Sequence, residues 1–191
     1  MEEIEVKFLN IDRSKIERKL KKIGAKKIFD RTYRSKAFDF PDLRLTNNSS
    51  WARIRDEGEK ITMAFKKRLG AKAADGSKND EGMEEHEVAI DSFKSAESIL
   101  LNLGLIEYFF EEKRRIRYLL DDAEVDIDIC PALEPYLEIE ASSWDKIDRV
   151  IALLELNPED KKIFSATQIY RLAGIDMFDY KEFTFKGLVK R

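Results

Sequence analysis

The sequence predicts an α+β protein: a closed antiparallel β-barrel of eight strands with helices packed outside it. Three observations predict this. Nearly every strand-like segment alternates charged with large apolar residues, so each strand has one charged and one apolar face. A strand, helix and several strands occur in that order twice. The alternating charges are chiefly Glu, Asp and Arg, whereas a merely solvated face would mix Ser, Thr, Asn, Gln and Lys.

The elements follow in order. In MEEIEVKFLN, Glu3, Glu5 and Lys7 alternate with Ile4, Val6 and Phe8. DRSKIERKLKKIGAKKI carries Ile16, Leu20 and Ile23 at helical spacing. Ser14 and Glu17 have the spacing of a capping box, and Gly24 stands where the helix stops. KKIFDRTYRSKAFDF, SWARIRDE and KITMAFKK read as strands, separated by the turn-rich PDLRLTNNSS and by Glu57-Gly58-Glu59. The polar, Gly-rich tract 68–83 reads as a long loop. The order then recurs: EEHEVAI as a strand, SFKSAESILLNLG as a helix ending at Gly104, and IEYFFEEKRRIRYLL, AEVDIDI and PYLEIEA as strands. In the closing third Ser143 caps WDKIDRVIALLEL, Asn157-Pro158 starts a short helix and Ser165 precedes ATQIYRLAG. The tail YKEFTFKGLVKR alternates weakly, as an edge strand would. We read a single domain over residues 1–191, with duplicated halves at about 1–67 and 84–141 and a helical part at about 143–174.

Composition excludes several function classes. With 191 residues and 43% hydrophobic content the chain can bury a proper core. Its 35 Lys and Arg nearly cancel its 38 Asp and Glu, for a net charge of −3, so no overall field attracts nucleic acid or a membrane surface. Cys130 is the sole cysteine, which excludes an internal disulfide and points to a reducing compartment. No apolar run reaches membrane-spanning length, and the acidic start is unlike a signal peptide, so the expected location is cytoplasmic. His86 is the sole histidine, and neither a G-x-S-x-G elbow nor a Gly-rich phosphate loop occurs. Phosphates, if bound, must be held by side chains.

The charged positions carry the chemistry. Glu85 and Glu87, Glu138 and Glu140, and Asp126 and Asp128 repeat the opening step of two; Arg53 and Arg55, then Lys113, Arg115 and Arg117, keep the same step, with Lys66 nearby. An open sheet showing its charges to water satisfies this parity, and so does a barrel whose lumen they line; the bias toward Glu, Asp and Arg favours the barrel. Such a lumen must hold water, cations and an anion, because each buried ion loses several kcal/mol of hydration. Arg grips phosphoryl oxygens in bidentate fashion and Lys as a point charge, while acidic pairs hold Mg²⁺ or Mn²⁺. The expected ligand is a short chain of phosphates with divalent metal.

Glu3-Ile4-Glu5-Val6-Lys7 resembles the E-x-E-x-K signature of the CYTH domain, the triphosphate tunnel metalloenzymes. The likeness continues through Arg53-Ile54-Arg55, Lys66, Glu85-His86-Glu87, Lys113-Arg114-Arg115, Asp128 and Glu138-Ile139-Glu140, over about residues 1–172. The family contains inorganic and thiamine triphosphatases, class IV adenylyl cyclases and tunnel-type RNA triphosphatases. The resemblance implies that Glu3, Glu5, Glu138 and Glu140 hold metal and that Glu85 and Glu87 form a second acidic patch that binds another metal or orients water. Lys7, Arg53, Arg55, Lys66, Lys113 and Arg115 would clamp the triphosphate, with Arg117 at the tunnel mouth. Glu5, Lys7 and Asp128 would form the catalytic set. Met83 stands where many relatives carry a basic residue, and Lys72 or Lys78 offers a substitute. Arg114, Lys26 and Lys27 read as solvated, His86 as outward-facing, Cys130 as packed, and Trp51 and Trp144 as core or rim.

The resulting expectation is a Mg²⁺- or Mn²⁺-dependent hydrolase of inorganic, thiamine or nucleoside triphosphate, monomeric or homodimeric. The alternatives are an adenylyl cyclase making cyclic AMP and diphosphate from ATP, and a non-catalytic polyphosphate or nucleotide binder.

Overall fold

The computed structural model describes residues 4–70 and 83–191. Glu3, Lys72, Lys78 and most of the tract read as a loop lie outside the described residues. The elements run β1 (Ile4–Phe8), α1 (Arg13–Lys22), β2 (Lys26–Asp39), α2 (Arg44–Asn47), β3 (Ser50–Asp56), β4 (Ile61–Arg68), β5 (Met83–Ile90), α3 (Phe93–Asn102), β6 (Ile106–Leu120), β7 (Ala123–Ile129) and β8 (Tyr136–Ala141). Then follow α4 (Trp144–Leu153), a 3₁₀ turn (Pro158–Asp160), α5 (Ala166–Leu172), a second 3₁₀ turn (Met177–Asp179), β9 (Tyr180–Thr184) and β10 (Gly187–Lys190).

Eight strands form one antiparallel path in the order β1-β8-β7-β6-β2-β3-β4-β5. The long β2 and β6, of 14 and 15 residues, pair at its centre. The first strand of each repeated unit crosses to the other: β1 joins β8 and β5 joins β4. The sheet curls as expected but is open along one seam, for among the described residues no ladder joins its two ends, β1 and β5. The outer edge of β1 is satisfied otherwise: Lys7 and Lys162 exchange backbone hydrogen bonds of 2.7 and 2.9 Å, which uses the donors and acceptors that closure needs.

The apolar faces point outward to the helices. Ile16 and Leu20 of α1 and Ile147, Val150 and Ile151 of α4 pack with Val6, Val125, Ile127, Leu137 and Ile139. Ala96 and Leu100 of α3 cover Phe38 and Ile54. A third cluster joins Tyr136, which shares the parity of Glu138, to Ile169, Tyr170 and Phe183. Among the described residues, no helix is long and apolar enough to cross a membrane.

Several local expectations need correction. Asp12, not Ser14, caps α1, its carboxylate accepting from Lys15 N at 2.9 Å. The helix after Asn157 is one 3₁₀ turn. The turn-rich tract contains α2, held by the buried Asp39 carboxylate, which accepts from Leu45 N and Thr46 N at 3.0 and 2.8 Å. The tail is a hairpin, and β9 runs parallel to β6 at Phe110 and Glu111. Gly24 and Gly104 stop α1 and α3 in the left-handed conformation, at φ 81° and 91°.

Candidate functional site

The strand parity brings the charged faces around one cavity of about 720 Å³. Glu5 and Lys7 of β1, Arg53 and Arg55 of β3, Lys66 of β4 and Glu85 of β5 line it. So do Lys113 and Arg115 of β6 and Glu138 and Glu140 of β8.

At one pole carboxylates gather. Glu5 pairs with Glu140 and Lys7 with Glu138 across the β1–β8 ladder. Glu5, Glu138 and Glu140 each offer an oxygen within 4.8 Å of the others. Three convergent carboxylates suit a hard divalent cation, which takes oxygen ligands and keeps positions for phosphate and water. The Lys7 ammonium contacts Glu5 and lies 3.8 Å from Glu138 Oε2.

Beneath this pole Arg115 holds three carboxylates. It donates to both oxygens of Asp128 at 2.7 Å, to Glu138 at 2.6 Å, and lies 2.7 Å from Asp126. Burial opposes ionisation of Asp128, but Arg115 and Lys113, the latter 2.7 Å away, outweigh it and hold the carboxyl well below its usual range. Glu138 is lowered in the same way, Arg115 overcoming its burial. Burial disfavours the Arg115 charge, yet Asp128, Glu138 and Asp126 hold its pKa well above the usual value. Asp128 is 0% exposed and sits under the cavity floor. Arg117 is likewise engaged by Asp126, at 2.8 and 2.7 Å, and by Glu124, and lies outside the cavity lining.

At the other pole cations gather. Arg53 contacts Glu87 at 3.1 Å and Glu85 at 3.6 Å, and Lys66 contacts Glu85 at 2.6 Å. Despite these acids, burial, and then the neighbouring Arg55, pull Arg53 down to about 10. Lys66 is lowered by burial and by Arg53. Arg53 Nε is buried with no hydrogen-bond partner among the described residues. Glu85 and Glu87 therefore face Arg53 and Lys66 and stand apart from the acidic triad.

Some lining residues were missed. Arg68, Glu111 and Tyr136 continue the step of two on their own strands, and extending that parity by one position finds each; Ser35 lies beside Arg55 across the β2–β3 ladder, on a strand where no charged step of two marks the inward face. Ser165, Thr167 and Arg171 of α5, and Met177 and Phe178, reach the cavity through long-range packing that leaves no periodic mark. Trp51 lines the cavity with the Arg68 guanidinium 4.5 Å from its ring centre, whereas Trp144 is 44% exposed on α4. His86 is exposed and Cys130 is buried, its thiol pushed up to about 12 by burial. Arg114, expected to be solvated, is a surface side chain that also bonds Asp30 across the β2–β6 ladder at 2.8 and 3.0 Å.

Comparison with known proteins agrees with this arrangement. Residues 1–172 match the CYTH domain. A Methanocaldococcus jannaschii protein described as a candidate adenylate cyclase is 29% identical over 175 residues, spanning 92% of this chain and 91% of that protein. A conserved hypothetical protein of Pyrococcus furiosus superposes with a TM-score of 0.69 at 22% identity, covering 87% of this chain and 99% of that one. A Hippeastrum protein described as a candidate adenylyl cyclase with a dominant triphosphatase activity superposes with a TM-score of 0.64 at 16% identity, covering 94% and 99%. The curled sheet, the two-pole cavity and the match across residues 1–172 together make this chain a member of the CYTH domain family.

Proposed function

We propose that the protein is a metal-dependent hydrolase of triphosphate-containing substrates bound in the cavity of the curled sheet. One observation carries this reading: the acidic triad shares its cavity with a cluster of buried cations. The depressed pKa values of Arg53 and Lys66 and the unpartnered Arg53 Nε would all be relieved by a polyanion. The triad suits a divalent cation at the opposite pole.

Arg53, Arg55, Lys66 and Lys113 bind the phosphate chain and neutralise charge on the leaving group. Glu5, Glu138 and Glu140 would hold Mg²⁺ or Mn²⁺, which would supply Lewis acidity at the phosphoryl oxygens. Lys7, between Glu5 and Glu138, donates toward the terminal phosphoryl group. Asp128 acts as a positioning residue: it is ionised, fully buried and locks Arg115 and Lys113. In hydrolysis a water oxygen bonds the terminal phosphorus, the bridging P–O bond breaks, and the water proton passes to a cavity carboxylate or to solvent. The cavity carboxylates orient that water and can take its proton, so little further proton chemistry is asked of the protein.

A second reading, adenylyl cyclase, is favoured by the description of the Methanocaldococcus jannaschii relative. It uses the same clamp, but the ribose 3′-hydroxyl attacks the α-phosphorus and diphosphate leaves. The two separate in one assay: tripolyphosphate, thiamine triphosphate and ATP are each incubated with Mg²⁺ or Mn²⁺ and the products are resolved. Orthophosphate release is expected; cyclic AMP as main product overturns the hydrolase. Arg55→Ala is expected to raise KM and Glu140→Gln to raise the metal requirement. Unchanged kinetics in both variants rule out this cavity as the site.

A further inference from the structure

The net charge hides a local excess on the outer side of the sheet. Residues 13–27, which hold α1 and the start of β2, carry eight Lys and Arg against Glu17 alone, in a chain of net charge −3. Three of the eight have counter-charges: Arg13 meets Glu17 at 3.4 Å, Lys19 meets Glu155 at 2.9 Å and Lys27 meets Asp30 at 3.1 Å. Lys15, Arg18, Lys21, Lys22 and Lys26 are exposed and make no ion pair among the described residues. Ile16 and Leu20 fix the opposite face of α1 in the core, so the cations stand on an anchored helix. Arg18, Lys21 and Lys22, three and four residues apart, share one side of its last turns.

The turn after α1 joins these charges to those of β2. Gly24 N donates to Lys21 O at 3.2 Å and Ala25 N to Leu20 O at 2.9 Å, so the chain enters β2 close beside the last turn of the helix. There the β2–β6 ladder slips by one residue. Lys27 pairs with Tyr118 and Phe29 with Arg117, which leaves Ile28 as the extra residue of a bulge. A bulge re-aims its side chain, and Ile28 is 45% exposed. Leu119, the cross-strand partner of Lys26, is 38% exposed. Two large apolar side chains thus stand in water beside the basic cluster. The acids that follow Leu119 are already neutralised: Asp121 meets Arg149 at 3.1 Å, and Asp122 pairs with Lys146.

The cluster asks two things of a partner, negative charge for the cations and an apolar phase for Ile28 and Leu119. A nucleic-acid backbone offers only the first. Four of the five unpaired cations are also Lys, a point charge without the planar fork by which Arg reads single phosphates or bases. A layer of anionic lipid headgroups offers both, since it attracts basic residues and admits shallow apolar side chains. We propose that the corner formed by the last turn of α1 and the bulge of β2 docks on an anionic lipid surface. Arg18, Lys21, Lys22 and Lys26 meet headgroup phosphates, and Ile28 and Leu119 enter the headgroup layer. None of these six side chains lines the charged cavity, so the docking does not depend on the triphosphate reading.

The test is co-sedimentation of the full chain with phosphatidylcholine vesicles, with and without phosphatidylglycerol, beside a separate titration with duplex DNA. Binding is expected to the vesicles that contain phosphatidylglycerol and not to phosphatidylcholine alone, and it should weaken as salt rises. Lys22→Gln and Lys26→Gln should each weaken it about fivefold, the worth of one cation near an anionic bilayer. Ile28→Ser should weaken it by about fivefold as well, through lost apolar contact, with no change in DNA affinity. All three changes fall on exposed side chains, and an unaltered Tm checks that the fold is kept. Failure to bind phosphatidylglycerol vesicles overturns the proposal. So does tighter binding to DNA than to vesicles, or an Ile28→Ser variant that binds vesicles as the parent does, since either means that the cluster takes a soluble polyanion.

Discussion

At Arg115 one guanidinium serves Asp128, Glu138 and Asp126 at 2.6–2.7 Å, and the three acids are 0%, 6% and 1% exposed. Removing the cation leaves buried carboxylates without a counter-charge, which costs about 3–5 kcal/mol. Arg115→Ala should therefore lower the unfolding free energy measured by urea titration by that amount. Arg115→Lys should recover only part of it, since an ammonium cannot make the bidentate contact. The surface pair Asp30–Arg114 makes a smaller and pH-dependent contribution. Arg114, with Lys27 adding to it, lowers the Asp30 carboxyl from 3.8 to about 2. A group with a depressed folded pKa contributes stability above its unfolded value and loses it as pH falls through the folded one. Arg114→Gln should thus cost about 0.5 kcal/mol at neutral pH, with the difference shrinking below pH 3.8 and gone near pH 2 in pH-dependent urea titrations.

At the scale of elements, the cap of α1 is decided by geometry. Asp12 is extended, at φ −76° and ψ 99°, and its carboxylate meets Lys15 N, while Ser14 lies one residue inside the helix. Asp12→Ala should lower stability by about 1 kcal/mol and Ser14→Ala by less than about 0.5 kcal/mol in thermal denaturation. Both residues suit a cap, and only the chain direction entering from Ile11 separates them. The strands were legible because period-two alternation survives in any strand with one charged and one apolar face: Val6 and Ile139 face the helices while Lys7 and Glu138 face the cavity. The same alternation located ten of the cavity-lining side chains before any fold was known. What it left unread depends on contacts distant in sequence. α2 exists because Asp39 meets the backbone of Leu45 and Thr46; Lys162 takes the edge hydrogen bonds of β1 at Lys7; Arg191 ties the backbone of Phe178 to that of Tyr108.

At the scale of the molecule the cavity gathers three carboxylates at one pole, with Lys7 and Arg115 among them, and cations at the other, with Glu85 and Glu87 among them, which sets how ligands act on stability. Glu5, Glu138 and Glu140 repel one another, as do Arg53, Arg55 and Lys66, and each cluster is held together by the cores under its strands. A ligand that binds only the folded state at a hundredfold excess over its Kd stabilises by about 2.7 kcal/mol. For a chain of this size that corresponds to a rise in Tm of about 5–10 °C. Mn²⁺ alone should stabilise through the acidic triad and tripolyphosphate alone through the cations. Together they should exceed the sum of the two shifts, since the chelated cation also screens the phosphate charge facing the carboxylates. Glu140→Gln should abolish the Mn²⁺ shift and spare that of tripolyphosphate, and Lys66→Ala should do the reverse. EDTA should return the loaded protein to the tripolyphosphate-only Tm. Strictly additive shifts, or variants that lose both responses at once, would mean that metal and anion do not meet in this cavity.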